Sequence, residues 1–397
     1  MANPLVIGFG KLIQAAARLK GGGTAFPGLV VERIAPDFAV DILRKLPRGV
    51  VVISGTNGKT TTTKIVSELL EAQGIRVFTN STGSNFMRGV IASLLPRITL
   101  SGRLDADIAV LELDEAHAVH FVRRIAPKNA LLLNVMRDQL DRFGEIDHTA
   151  DLLAIIARHT TGTVVINRED SRLACLAWLT DDTAPAKRVW YGLAPGLKAQ
   201  FPQDDDLYAD EFESWDPECM DGVINKEREK EPPPPPGSSG GVVAQESGGD
   251  STAPSVILQT LDGSRATFVI DGATYENSLK LKGIYNAYNA AAALALVRSI
   301  LLDADAVANA RLDDAQLVEQ LSQIESAFGR GETFEVNGIE TELFLVKNPG
   351  GFRLALESFD AADHDTMIAI NDEYADGRDM SWLYDVNFGT LKQTGVA

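Results

Sequence analysis

Short apolar runs and longer amphipathic runs alternate along the first half of the chain. "VVVIS" (50–54), "RVFTN" (76–80), "ADIAVLEL" (106–113), "NALLLNV" (129–135) and "GTVVIN" (162–167) are rich in Val, Ile and Leu. They lack the strict in-out alternation of a half-exposed strand, which is how strands covered on both faces read. Between them, "KTTTTKIVSELLEAQG" (59–74), "EAHAVHFVRRIAP" (115–127) and "HTADLLAIIARH" (148–159) carry helical spacing, the first closed by Gly74. Strand and helix in alternation predict an α/β fold with a parallel sheet covered by helices. Residues 1–47 read as a lead-in with one or two helices. The opening "MANPLVIGFGKLIQAAARLKGGG" interleaves its apolar positions with Lys, Gln and Arg and has no small-residue cleavage site, so it reads as an amphipathic helix and not as a targeting segment.

The pattern breaks near residue 203. "QDDDLYADEFESWDPE" is acidic, and "NKEREKEPPPPPGSSGGVVAQESGGDSTAPS" is charged, then rich in Pro, Gly and Ser. Such a stretch buries too little apolar surface to offset its ordering entropy, so residues 220–254 are expected to be a disordered insertion. Order resumes with "SVILQTLDGSRATFVIDGATYENSLKL" (255–281), strands around Asp-Gly turns at 262–263 and 271–272. An apolar helix, "NAYNAAAALALVRSILL" (286–302), and an amphipathic one, "DAQLVEQLSQIESAF" (314–328), follow. A third region starts at about residue 329, and "DTMIAIND" (365–372) reads as a strand ending in polar residues. The expected organisation is a lead-in over 1–47, a central region over 48–328 and a last region over 329–397.

Composition narrows the function classes. The 397 residues contain no apolar run long enough to span a bilayer, so no transmembrane segment is expected. Two cysteines, Cys175 and Cys219, give neither a disulfide framework nor a four-cysteine zinc site, which fits a cytoplasmic location. The net charge of -18 argues against nucleic acid as a partner. Much of it is local: residues 203–250 hold 14 Asp and Glu against 3 Lys and Arg.

The chemistry concentrates in "VVVISGTNGKTTTTK" (50–64). An apolar strand stops at Gly55, and Gly55 and Gly58 flank Thr56 and Asn57 before Lys59 and Thr60. Bare backbone lets N–H groups approach phosphate oxygens, and the helix that follows points its dipole at the same place. Lys59 would neutralise the β and γ phosphates, and the Thr60 hydroxyl would sit on Mg²⁺. The loop is shorter than the common G-x-x-x-x-G-K-[ST] form, because Ile53 stands five residues before Gly58. A second strand ends in Glu112, Asp114 and Glu115, and a carboxylate there would complete a Mg²⁺ site. "NVMRDQLDRFGE" (134–145) also follows a strand and is equally well read as an ion-paired surface turn.

Together these motifs resemble the Mur ligase family of ATP-dependent peptide-bond-forming enzymes. "GTNGKTTT" is similar to its ATP loop, and "GIYNAYNAAAALA" (283–295) to its central G-x-x-N-x-x-N-x-x-A-A segment. The likeness is nearest to the MurT-type branch, the ligase subunit of lipid II isoglutaminyl synthases. That nearness rests on "TAFPGLVVERIAPD", "GTNGKTTTTK", "LELDEA", "NVMRDQLDRFGE", "FGRGE", "LVKNPGGF" and "INDEYADGRDMSWLYDVNF", in this order from residue 24 to 388. The resemblance implies a Mur-ligase-like P-loop central domain followed by an incomplete Rossmann-like C-terminal domain. It implies ATP and Mg²⁺ as cofactors, lipid II at the inner face of the membrane as substrate, and a GatD-type glutaminase as partner in a heterodimer. The α-carboxylate of D-glutamate would be phosphorylated, and ammonia would convert the acyl phosphate to D-isoglutamine.

By the same likeness Gly55, Thr56, Asn57, Gly58, Lys59, Thr60 and Thr61 would bind the phosphates. Asn286 would lie against adenine with Asn289 nearby, Thr60 and Glu112 would hold Mg²⁺, and Arg330 would join Lys59 around the transferring phosphoryl group. The alternative for Arg330 is a hinge or surface arginine before the last region. Asp376 and Asp379, with Asp372 behind them, are candidates to complete the glutaminase's Cys-His pair, or they are acids of a turn. The four-cysteine zinc ribbon of many relatives is absent, so no zinc is expected. An amino-acid-adding Mur ligase or folylpolyglutamate synthase, and a nucleotide-binding scaffold without turnover, remain alternatives.

Overall fold

The computed structural model describes residues 3–19, 25–80, 86–136, 145–174, 186–198, 201, 254–281, 283–303, 312–325, 330–346, 351–352, 355–356, 365–370, 383 and 386. The chain begins with three helices, α1 (Pro4–Leu19), α2 (Phe26–Ile34) and α3 (Phe38–Leu43), where the sequence suggested one or two. Helix α3 is too short to show a period, yet Phe38, Ala39, Val40, Ile42 and Leu43 are all buried. Then come β1 (Val50–Ser54), α4 (Lys59–Ala72), β2 (Val77–Thr79), α5 (Met87–Arg97), β3 (Ile108–Glu112), α6 (Glu115–Val122), β4 (Asn129–Leu132), α7 (Glu145–His159) and β5 (Thr163–Asn167). Short helices α8 (Ser171–Ala174) and α9 (Pro195–Lys198) flank β6 (Lys187–Leu193). The strands β7 (Pro254–Asp262), β8 (Arg265–Ile270) and β9 (Ala273–Ser278) precede helices α10 (Ile284–Leu302) and α11 (Asp314–Leu321). A hairpin of β10 (Arg330–Val336) and β11 (Ile339–Phe344) follows.

The nine-stranded sheet runs β2-β3-β1-β4-β5-β6-β7-β8-β9. Strands β2 to β7 are parallel to their neighbours, and β7, β8 and β9 pair antiparallel. The change of mode follows from the connections. Two-residue turns join β7 to β8 and β8 to β9, the second with Asp271 and Gly272 both at positive φ, and such turns can only join antiparallel strands.

β1 is buried on both faces and feeds two cores. Val50 and Val52 pack with α1, α2, α3, α5, α6 and α7. Val51 and Ile53 pack with α4, α10 and α11. Each such fully buried side chain contributes about 1.5–3 kcal/mol relative to exposure. Because β3 and β4 lie on either side of β1, the chain leaves the end of β1 at the point where strand order reverses. In open α/β sheets a crevice forms there, beyond the carboxyl ends of the strands.

Two readings of the last region change. "GETFEVNG" opens a hairpin of its own, turned at Asn337 and Gly338, both at positive φ. Residues 365–370 are not in a strand, and Met367, Ile368 and Ile370 are exposed. A strand needs a neighbour for its N–H and C=O groups, and none of the described strands lies beside this stretch. Asp372, Asp376, Asp379, Cys175, Cys219 and residues 220–253 of the expected insertion lie outside the described residues, whereas Pro254 already belongs to β7.

Candidate active site

The loop between β1 and α4 is shaped by its two glycines. Gly55 has φ +133° and Gly58 φ +87°, conformations open to glycine at little cost. A Cβ on Gly55 would lie 2.9 Å from the Asn134 nitrogen. One on Gly58 would lie 2.5 Å from Asn289 Oδ1 on α10. The loop is therefore pressed between the end of β4 and the first turns of α10.

Asn134 holds it there. The Asn57 N–H donates to Asn134 Oδ1 at 2.8 Å, and Asn134 Nδ2 donates to the Asn57 carbonyl at 3.0 Å. The Thr56 N–H donates to the Asn134 carbonyl at 3.0 Å, and the Met136 N–H to Thr56 Oγ1 at the same distance. These bonds fix the loop before any ligand arrives.

The N-terminus of α4 begins at Gly58, and no side chain caps it. Its first-turn N–H groups have no acceptor within the helix and point into the crevice. Lys59 Nζ folds back onto the carbonyls of Gly55 (2.5 Å) and Thr56 (3.1 Å) and lies 3.9 Å from Glu115 Oε1. Thr60 is exposed, and Thr61 is buried beneath it. Glu112 ends β3 with its side chain almost fully buried. Asn80 fixes it by accepting from the Glu112 N–H at 3.0 Å and donating to its carbonyl at 2.8 Å, as a neighbouring strand would. Asp114, two residues on, pairs with His117 at 3.3 Å. Uncapped amides, a lysine and two glycines at contact distance from their neighbours are groups chemically suited to phosphate, and a hydroxyl and a carboxylate are hard ligands of the kind Mg²⁺ prefers.

Beside the loop, an open cleft is lined by Asn57, Gly58, Asn134, Asn167, Tyr285, Tyr288 and Asn289, among others. Asn286, one turn before Asn289 on the same helix, does not line it. One wall is aromatic: Phe201 meets Tyr285 at 4.7 Å and Tyr288 at 5.2 Å, and Tyr288 meets Tyr191 at 5.1 Å. The Tyr288 and Tyr191 hydroxyls are satisfied. Tyr288 donates to Asn167 Oδ1 at 2.5 Å and Tyr191 to the Leu133 carbonyl at 3.0 Å. Burial pushes both phenols well above their usual range, so they stay neutral donors. Burial also pushes the Glu169 carboxyl up. Bonds from Lys198, the Leu193 N–H and Arg168 outweigh it, and the group sits below the ordinary carboxylate range. Asp170 accepts from the Val135 N–H at 2.7 Å and the Leu173 N–H at 3.0 Å, tying the ends of β4 and β5 together.

Of the residues picked from the sequence, Gly55, Thr56, Asn57, Gly58, Lys59, Thr60, Thr61 and Asn289 come together here, and Glu112 ends the strand next to β1. Arg330 opens β10, opposite Phe344, and its side chain lies outside the described residues. Asn167, Asp170 and Tyr288 were not among those picked, and Asn134 entered only as the first residue of "NVMRDQLDRFGE". Three of them share one signal, a polar side chain at or just past the carboxyl end of a parallel strand.

Comparison with known proteins places this geometry. The Mur ligase middle domain family matches residues 53–208, and the MurT ligase C-terminal family matches residues 345–397. The chain is 32% identical over 386 residues to the Streptococcus pneumoniae lipid II isoglutaminyl synthase (glutamine-hydrolyzing) subunit MurT, covering 95% of this chain and 78% of that protein. The chain belongs to the MurT family. The Staphylococcus aureus (strain COL) MurT subunit is 28% identical over 393 residues, covering 97% of this chain and 82% of that protein. Burkholderia multivorans UDP-N-acetylmuramoylalanine--D-glutamate ligase is also 28% identical, but over 281 residues and 49% of its length.

Among solved structures, a pseudomurein peptide ligase type C from Methanothermus fervidus is similar with TM-score 0.52 and 20% identity, over 81% of this chain and 58% of that one. The MurF ligase of Thermotoga maritima, solved in complex with ADP, is similar with TM-score 0.53 and 18% identity over the same shares. The fold is that of the Mur ligases, and this MurT-family chain is an ATP-dependent ligase of the kind that works in peptidoglycan synthesis. None of its described helices is long and apolar enough to cross a membrane.

Proposed function

We propose that this MurT-family chain is the ligase subunit of a lipid II isoglutaminyl synthase. It amidates the α-carboxylate of D-glutamate in the lipid II stem peptide, at the inner face of the membrane. The observation that carries this reading is the phosphate cradle at residues 55–60 in a chain related along almost its whole length to the two MurT subunits. A carboxylate is a poor electrophile because oxide is a hopeless leaving group. Its oxygen attacks the γ-phosphorus of ATP and ADP departs. Ammonia then attacks the acyl carbon, and phosphate leaves with the former carboxylate oxygen.

The chain's task in the first step is to position the groups and neutralise charge. The α4 amides and Lys59 hold the phosphates, and Lys59 exchanges its present carbonyl partners for them. Thr60 and Glu112 would hold Mg²⁺, which spreads the charge of the transferring group. The adenosine fits the cleft between Asn134 and Asn289, against the aromatic wall. Arg330 is proposed to join Lys59 at the phosphoryl group, and the ammonia to come from a GatD-type glutaminase whose Cys-His pair is completed by one of Asp372, Asp376 and Asp379. The Rossmann-like C-terminal part beginning near residue 329 belongs to this proposal.

The test is to co-express the chain with such a glutaminase and supply lipid II, glutamine and Mg²⁺-ATP. The expected product is a stem peptide lighter by the difference between hydroxyl and amide, formed with one ADP. A stem peptide extended by an amino acid would overturn the proposal in favour of an amino-acid-adding ligase. Nucleotide binding without turnover would leave a scaffold.

A further inference from the structure

Helix α1 turns two of its long polar side chains inward and shows a stripe of large apolar ones outward. Ile7 and Gly10 face the protein, and a Cβ on Gly10 would lie 2.7 Å from Leu95 Cδ2 and 2.8 Å from Val31 Cγ2. Its longer polar side chains lie on that side too. Lys11 Nζ donates to the Ile98 carbonyl at 2.7 Å, and Gln14 Nε2 to the Ala92 carbonyl at 3.0 Å. The outer side shows Leu5 (81% exposed), Phe9 (47%), Leu12 (67%) and Leu19 (89%), with exposed Ala16 between the last two. The spacing 5, 9, 12, 16, 19 puts them on one stripe of a helix. A surface helix facing water shows the reverse arrangement.

Charge indicates what covers the stripe. Helix α1 carries Lys11 and Arg18 and no acid, and residues 86–104, which hold α5, carry Arg88, Arg97 and Arg103 and no acid. This is one side of a chain whose net charge is -18. Arg18, Arg97 and Leu100 are exposed there. An apolar helix stripe with exposed arginines beside it has the composition that lies flat in an anionic lipid surface, whereas the acidic remainder is repelled from it. The pairing of Gln14 with Ala92 and Lys11 with Ile98 shows that α1 runs antiparallel to α5. Its Leu19 end therefore points toward the carboxyl ends of the strands, where the phosphate loop lies.

We propose that α1 docks in the interface of an anionic bilayer, with Leu5, Phe9, Leu12 and Leu19 among the acyl chains and the exposed Arg18 and Arg97 at the headgroups. The proposal stands on α1 and its surroundings and needs no assumption about the reaction, although a lipid-linked substrate would be met at such a surface.

The test is flotation of the full chain with vesicles of phosphatidylcholine alone or mixed with phosphatidylglycerol, with no substrate present. Binding to the anionic vesicles is expected, with little to the neutral ones, and it should weaken as salt rises. The variant L12E/L19E changes only exposed positions and should keep the thermal transition while losing at least about tenfold in vesicle affinity. R18E/R97E should lose a similar factor, about fivefold per charge, and no longer distinguish the two vesicle types. The proposal is overturned if the wild-type chain stays with the lipid-free fraction at low salt, or if L12E/L19E floats as well as wild type. It is equally overturned if sedimentation shows a wild-type dimer that this variant converts to monomer without any vesicle binding.

Discussion

Asn289 lies so close to Gly58 that a Cβ on the glycine would sit 2.5 Å from the asparagine Oδ1. The two belong to segments far apart in sequence, the loop after β1 and the start of α10, and their contact closes one side of the cleft.

Gly58→Ala therefore meets two costs. The left-handed backbone at φ +87° disfavours alanine by about 1–2 kcal/mol, and the new methyl must displace Asn289. Nucleotide affinity, read by titration calorimetry with Mg²⁺-ATP, is expected to fall by at least about tenfold, which matches a loss near 1.4 kcal/mol. Adding Asn289→Ala should restore the part due to crowding and leave the backbone part. Wild-type affinity in the single variant would show that the loop and α10 do not share the ligand.

Asn134 supplies a second handle on the same loop. Asn134→Ala deletes both side-chain bonds to Asn57 and leaves a partly buried N–H and carbonyl to find water. The expected loss is about 1–3 kcal/mol in urea unfolding. Nucleotide affinity should fall as well, because the amides of the cradle are no longer held in place. A variant that unfolds at the wild-type urea concentration and still binds ATP normally would show that the clamp is idle.

The parts of this fold legible in the sequence were those with a strong local signal. The two-sided strand "VVVIS" and the loop glycines announced themselves, and the Asp-Gly pair at 271–272 fixed a hairpin. Other parts depended on partners distant in sequence. Nothing near Tyr288 says that its hydroxyl reaches Asn167, and nothing near Asn134 says that it bonds to residue 57. The Asn337-Gly338 turn was present in the sequence, but its flanks "GETFEV" and "IETELF" are so polar that they did not read as paired strands. The opposite error occurred at residues 365–370, where β propensity was plain but none of the described strands pairs with them.

Glu169 gives the acid side of the stability profile. Its folded pKa lies below the ordinary value, so the unfolded chain binds this proton more tightly. The stabilisation is complete above the unfolded glutamate value, about 4.3, and is lost as pH falls through the lower folded value. Asp107 has the same sign, its carboxyl held down chiefly by the hydrogen bond from Arg76. Unfolding midpoints measured from neutral pH down to about pH 3 should therefore fall steeply below pH 5. Glu169→Gln should be less stable at pH 7 and show a shallower acid decline. An unchanged slope would mean that Glu169 titrates alike in the folded and unfolded chain.

Arg298 tests how α10 is anchored. Its buried guanidinium donates from Nε to Asp314 Oδ1 at 2.6 Å and from Nη2 to Asp271 Oδ2 at 2.7 Å, tying α10 to the first turn of α11 and to the β8–β9 turn. Arg298→Ala removes the fork and leaves Asp314 without its partner, and a loss of about 3 kcal/mol in urea unfolding is expected. Asp271→Ala should cost about 1 kcal/mol or less, because that carboxylate is largely exposed. Arg298→Lys should fall between them, since one ammonium cannot serve both aspartates with the same geometry. Arg298 lies about two and a half turns from Asn289 on the same helix. If the anchor also sets the position of Asn289, Arg298→Ala will weaken nucleotide binding at temperatures where the chain remains folded. If α10 is held by its alanine-rich packing alone, stability will fall and affinity will not.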